Sequence, residues 1–212
     1  MKTHYKISQK EQNKMSCIPN FGQGLLESII EALPKRITRH SERVRNIACM
    51  MAQYVPDELV PEGMDRSGYI FTLSKGAYFH DMGILLYGND VEKHPLAIEK
   101  IMKENDCFDL SFPDNAVILE TVRGHKERYD GKGYPDGLSG EDIPIHASVC
   151  GIADTVDMIM GESMFPAKKI KEAASFIQQN SRILFRPDAV TCFERAQKEI
   201  YDLYLLFCDK KD

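Results

Sequence analysis

Six side chains in this sequence have types and spacings that suit cation binding: His40, His80, Asp81, His94, His125 and Asp154. His80 and Asp81 stand together in an apolar run from Ile70 to Leu86, where Ile70, Leu73, Ala77 and Ile84 recur close to helical spacing. His80 follows Ala77 by three residues and Asp81 by four, which predicts both on the buried side of a helix. A buried ionised carboxylate is costly unless a charge or a metal meets it. Alone, the pair reads first as a buried ion pair or a helix-end cap and only second as a ligand pair. The other histidines change the balance. His40 lies three residues after Ile37 and four before Val44, and His94 lies four before Ile98. His125 shares a face with Ile118, Thr121 and Val122, and Asp154 aligns with Ala147, Cys150 and Met158. Four inward histidines and two inward carboxylates on five predicted helices are hard to satisfy by mutual pairing. Nitrogen and oxygen ligands converging from separate helices suit a divalent first-row transition metal. His4, in the N-terminal tail, and His146, opening a helix, receive no role.

Helices must position these groups, and the sequence predicts little else. Residues 1–20 read as a flexible lead-in and 21–212 as one globular domain, with Pro19-Asn20 at the junction. Gly24–Leu33 is a predicted short helix stopped by Pro34, which then takes the first turn of a helix reaching about Val55. Pro56–Ser67 is a polar loop, and Tyr87–Asp90 a turn after the organising helix. Further helices are predicted from His94-Pro95 to about Glu104, from Pro113 through His125, from Pro144, over about Pro166–Asn180, and over about Pro187–Phe207. Lys126–Asp142 holds Gly131, Gly133, Pro135, Gly137 and Gly140, the composition of a long irregular loop. No segment alternates as a strand does, so the predicted fold class is all-α.

Composition narrows the function. With 43% apolar and 28% charged residues, 212 residues can build one sizeable core. A net charge of -5 without a long Lys/Arg run argues against a nucleic-acid duplex as partner. The apolar stretches are too short to span a membrane, and Met1–Lys14 lacks the apolar core of a signal peptide. Six cysteines (Cys17, Cys49, Cys107, Cys150, Cys192, Cys208) show no C-x-x-C spacing and read as reduced packing residues, which predicts a cytoplasmic protein.

His40, then His80-Asp81, then Asp154 within Gly151-Ile152-Ala153-Asp154, resembles the HD superfamily of metal-dependent phosphohydrolases. The segment His125-Lys126-Glu127-Arg128-Tyr129-Asp130-Gly131-Lys132-Gly133-Tyr134-Pro135 is similar to the signature of its HD-GYP subfamily, and Gly137–Pro144 continues the likeness. His94-Pro95 falls where the family has a further ligand, and Phe185-Arg186-Pro187-Asp188 resembles a late family segment. The resemblance covers roughly residues 35–200. It implies a single helical domain of the HD type that hydrolyses a phosphodiester, cyclic di-GMP or another nucleotide. It implies two divalent ions, iron or manganese, with a hydroxide between them as nucleophile. His40, His80, Asp81 and Asp154 would hold one ion; Asp81, the implied catalytic residue, would bridge to a second on His94 and His125. Lys126, Lys132 and Tyr134 would contact substrate.

Four departures from the family pattern involve five positions. Lys126 stands where a second histidine is usual, Arg36 where some members carry a glutamate, and Ile84 where the family has a phosphate-contacting lysine. Ser163 and Pro166 lie where members that bind cyclic di-GMP often place arginines. The competing expectation is therefore a divergent, weakly active or inactive domain that signals through a protein partner or a homodimer.

Overall fold

Proline marks most of the helix starts, because its fixed φ suits a first turn in which its missing N–H costs nothing. The computed structural model describes residues 28–29, 31–88, 90, 92–105, 113–161 and 165–208, with the side chains of 102–105 and 207–208 excepted. The predicted lead-in, the junction at Pro19-Asn20, most of the predicted helix Gly24–Leu33, and Cys17, Cys107 and Ser163 lie outside them. Among the described residues seven helices carry the fold: α1 Lys35–Ala52, α2 Arg66–Phe79, α3 Ala97–Asn105, α4 Pro113–Gly124, α5 Ile145–Met160, α6 Pro166–Gln179 and α7 Pro187–Cys208. Pro113, Pro166 and Pro187 open their helices, whereas Pro34 and Pro144 sit one residue earlier with extended backbone. The start of α2 is fixed differently, by Asp65 accepting the Gly68 N–H at 2.7 Å. The only β pairings among the described residues are isolated bridges, Asp130 with Ser139 and Ser181 with Phe185. The protein is all-α.

Helix α5 is the axis of the fold, packing against α1, α4, α6 and α7. It is apolar on nearly every side, with even Asp154 and Asp157 buried, as expected of a helix enclosed by others. Two apolar clusters form around it. The larger takes Val44, Ile47 and Met51 from α1, Leu73 and Ala77 from α2, Val149, Ile152 and Val156 from α5, and residues of α6 and α7. The smaller joins Leu33, Ile37, Phe79, Met82, Ile98, Ile101, Ile118 and Val122. His40 lies between Ile37 of the smaller cluster and Val44 of the larger. His80 and Asp81 likewise fall between Ala77 of the larger cluster and Met82 of the smaller. These three polar residues thus occupy the places where α1 and the end of α2 pass from one apolar cluster to the other.

The organising run does not form one helix from Ile70 to Leu86. Helix α2 ends at Phe79, residues 80–83 turn, and Ile84–Tyr87 makes a single helical turn before Gly88, whose φ is 61°. Within this turn the chain packs tightly, and a Cβ on Gly83 would overlap the backbone carbonyl of His94. The chain approaches the His94 segment too closely there for any other residue.

Candidate metal centre

The six predicted ligands meet in one place, though fewer of them lie inside helices than the spacing suggests. His40 and Asp154 project from within α1 and α5; His80, Asp81 and His125 follow the last residues of α2 and α4, and His94 opens a 3-10 turn before α3. Helix ends serve convergence better than helix faces. They also present the negative end of the peptide dipoles, which favours a cation.

Two of the histidines are set by the same local device. His80 Nδ1 donates to Ala77 O at 2.7 Å, and His125 Nδ1 donates to Val122 O at 2.7 Å. In each, the bond to the carbonyl three residues back fixes the tautomer and leaves Nε2 with a lone pair. His80 Nε2 is fully buried and has no hydrogen-bond partner. It faces Asp81 Oδ2 at 3.6 Å and Asp154 Oδ1 at 3.9 Å. A buried imidazole lone pair pointing at two carboxylate oxygens is unfavourable unless a cation lies between them. His94 Nε2 and His125 Nε2 stand 3.2 Å apart, again an arrangement that a shared cation completes.

The ligand atoms sort into two sets of three, His40, His80 and Asp154 in one, Asp81, His94 and His125 in the other. Within each set they lie within 4.8 Å of one another. Asp81 faces both. Its Oδ2 lies 3.7 Å from His40 Nε2, and its Oδ1 lies 3.4 Å from His94 Nε2. The donor set therefore fits divalent ions of the imidazole- and carboxylate-binding kind.

Buried charges sharpen the site. Burial opposes charge on Asp154, but its bond to His40 and the charge of Lys126 hold it well below the usual carboxylate range. Burial and the nearby charge of Lys126 push His125 far down, keeping it a neutral ligand. Burial lowers His40 too, yet Asp154 and Asp157 outweigh it and raise the group to about 9.

Asp157, one helical turn beyond Asp154, adjoins the site and was not singled out from the sequence. It accepts His40 Nδ1 at 2.6 Å, Arg43 Nε at 2.6 Å and Nη2 at 3.0 Å, and the hydroxyl of Tyr204. Its spacing of three from Asp154 on an apolar helix was the available signal. His146, given no role, is buried and bonds Glu120 at 2.8 Å. The cysteines described, Cys49, Cys150 and Cys192, are free thiols, two of them buried, as expected of packing residues.

The glycine-rich loop is built around Glu127. Its carboxylate accepts the backbone N–H groups of Asp136 at 2.7 Å, Gly137 at 3.1 Å and Leu138 at 3.1 Å. Arg123 ties Asp136 to Glu99 of α3, and buried Arg186 closes the far end through the carbonyls of Glu141 and Ile143. Of the predicted substrate contacts, Lys126 reaches into the centre, with Nζ 2.6 Å from Asp154 Oδ2. Half-buried Tyr134 lies in the field of Lys126, Asp154 and Asp81. Lys132 is exposed, and its backbone N–H donates to Asp130 at 3.2 Å. Arg36 is exposed on α1, Ile84 packs against the smaller cluster, and Pro166 is buried at the start of α6.

A helical domain with a His/Asp centre at the ends of its helices is the architecture of HD domains. The chain is similar to the HD domain family over residues 90–188. It is 28% identical over 191 residues to a "Cyclic di-GMP phosphodiesterase" of Thermotoga maritima, covering 85% of this chain and 50% of that protein. It is 35% identical over 140 residues to the "Cyclic di-GMP phosphodiesterase response regulator RpfG" of Xanthomonas campestris, covering 60% of this chain and 37% of that one. A "3'3'-cGAMP-specific phosphodiesterase 3" of Vibrio cholerae is 23% identical over 192 residues, covering 83% and 38%. The chain spans at most about half the length of these relatives. No helix among the described residues is long and apolar enough to cross a membrane.

Proposed function

We propose that this chain is a metal-dependent phosphodiesterase acting on a phosphodiester of the cyclic-dinucleotide class. The observation that carries the reading is Asp81, whose two oxygens face two separate nitrogen sets at 3.7 and 3.4 Å. His40, His80 and Asp154 would hold one divalent ion, iron or manganese, and His94 and His125 the second, with Asp81 shared. Such a pair supplies a water of pKa near ~7 and neutralises charge on the phosphoryl oxygens.

The chain's own residues do the rest. Asp157 orients His40, and the carbonyls of Ala77 and Val122 orient His80 and His125. Glu127 shapes the loop that brings Tyr134 to the rim. Lys126 and Tyr134 would face a phosphate, with Lys132 further out. Support for the substrate class comes from the relatives, which are named as phosphodiesterases for cyclic di-GMP or cGAMP. The test is metal analysis of protein purified without chelator and reconstituted with iron or manganese, together with hydrolysis of bis(p-nitrophenyl) phosphate. More than one ion per chain and metal-dependent turnover are expected. Less than half an equivalent after reconstitution overturns the reading.

Lys126 favours a second reading, a divergent domain that keeps the fold and signals through a protein partner or a homodimer. Its ammonium stands where the family usually offers a second imidazole. Full metal content without turnover of any phosphodiester would select this alternative.

A further inference from the structure

Asp154 divides its two oxygens. Oδ1 faces the imidazoles, 3.1 Å from His40 Nε2 and 3.9 Å from His80 Nε2, while Oδ2 receives Lys126 Nζ at 2.6 Å. We propose that Lys126 is a tethered internal cation that competes with metal for Asp154 and makes the two halves of the centre unequal in affinity. The inference rests on the metal-centre reading above and names how that centre is tuned.

The tether is short and its origin is fixed. Lys126 directly follows His125, whose ring is held on Val122 O and whose backbone carbonyl lies against α5. A Cβ on Gly151 would come within 2.6 Å of that carbonyl, so only glycine lets α5 approach this closely. The lysine stem therefore leaves the end of α4 beside α5, three residues' distance along α5 from Asp154. Its side chain is 25% exposed and that of Asp154 6%, so solvent screens the pair only partly.

An ammonium offers three donors and no lone pair, so Lys126 cannot ligate where a histidine could. It can only neutralise. Ligation requires neutral imidazoles, so in the metal-bound state the six ligands carry two negative charges, one on Asp81 and one on Asp154. Lys126 cancels that of Asp154 and leaves Asp81 as the uncompensated carboxylate. An ion at Asp81, His94 and His125 meets a full carboxylate charge. An ion at His40, His80 and Asp154 meets one already paired, and approaches a fixed positive charge. The first set fills tightly and the second weakly. The same ammonium stands beside the centre where a phosphate oxygen arrives, so what weakens the ion can serve the substrate.

Calorimetric titration of the metal-free 212-residue chain with Mn²⁺ alone tests this, on wild type, Lys126→Met and Lys126→Arg. Wild type is expected to bind in two unequal steps. Lys126→Met should tighten the weaker step at least about tenfold, equivalent to ~1.4 kcal/mol. Lys126→Arg keeps the charge and should stay close to wild type. Thermal melting of each variant confirms that the fold is intact. Equal affinities in wild type and Lys126→Met overturn the inference and leave the metal centre standing. Weaker binding by Lys126→Met also overturns it, since the lysine would then be structural. No Mn²⁺ bound by any of the three overturns the metal centre as well.

Discussion

His40 donates from Nδ1 to Asp157 Oδ2 at 2.6 Å, which leaves its other ring nitrogen facing Asp154 and Asp81. A carboxylate behind a metal-facing imidazole fixes the ring and raises its basicity, and losing such a partner typically costs about 10–100-fold in metal affinity. Asp157→Asn should therefore bind Mn²⁺ about tenfold more weakly while keeping its circular dichroism. Asp157→Ala goes further, because Arg43 and Tyr204 lose the same acceptor. A buried charge left without its partner should lower unfolding free energy by about 3 kcal/mol or more, read by urea denaturation. Unchanged metal affinity in the Asn variant would show that His40 needs no orienting partner.

Asp81 has no substitute if both sets lean on it. Asp81→Ala should lose most bound metal and all hydrolysis, and its far-ultraviolet spectrum should stay helical. Elemental analysis of the reconstituted variant decides the matter. Wild-type metal content in Asp81→Ala would disprove the bridge.

The sequence carried the helices well because prolines punctuate them and each apolar stripe is interrupted by a polar loop. It misplaced the end of α2. Tyr69, Thr72, Leu73, Gly76, Ala77 and Phe79 are all buried, so the helix has no continuous polar face whose loss would mark where it stops. The six converging residues could be named because each sits in an apolar stripe where a charged or polar residue is anomalous. Asp157 was missed because its partners Arg43 and Tyr204 lie 114 and 47 residues away, a distance that no local pattern spans. The pairing of Lys126 with Asp154 was hidden for the same reason, at a separation of 28.

Gly83 offers a test of how the second half of the centre is positioned. Because a Cβ there would overlap the carbonyl of His94, Gly83→Ala must push the His94 segment away from Asp81. Overpacking of this kind costs about 1–3 kcal/mol. The variant should melt earlier and lose the ion of the Asp81, His94 and His125 set. The His40 set, on α1 and α5, should still bind. Loss of both ions together would mean that the two sets do not form independently.

Binding of cyclic di-GMP should be weak in wild type, because Ile84 and Ser163 cannot donate charged hydrogen bonds to phosphate oxygens. Such bonds contribute about 1.5–3 kcal/mol each. Ile84 packs its side chain against the smaller apolar cluster, so a lysine there must keep that surface covered with its stem while its head reaches water. Pro166 is buried as the first residue of α6 and is best left alone. The variant Ile84→Lys, Ser163→Arg adds two donors without touching any of the six ligands. Arginine at 163 matters for its planar fork, which grips two oxygens at once. Calorimetry in low salt with metal present should show binding at least about tenfold tighter than wild type, ~1.4 kcal/mol. Tight binding by wild type would mean that Lys126 and Lys132 already supply the missing cations. No binding by either protein would remove cyclic di-GMP from the candidate substrates and leave another phosphodiester to be found.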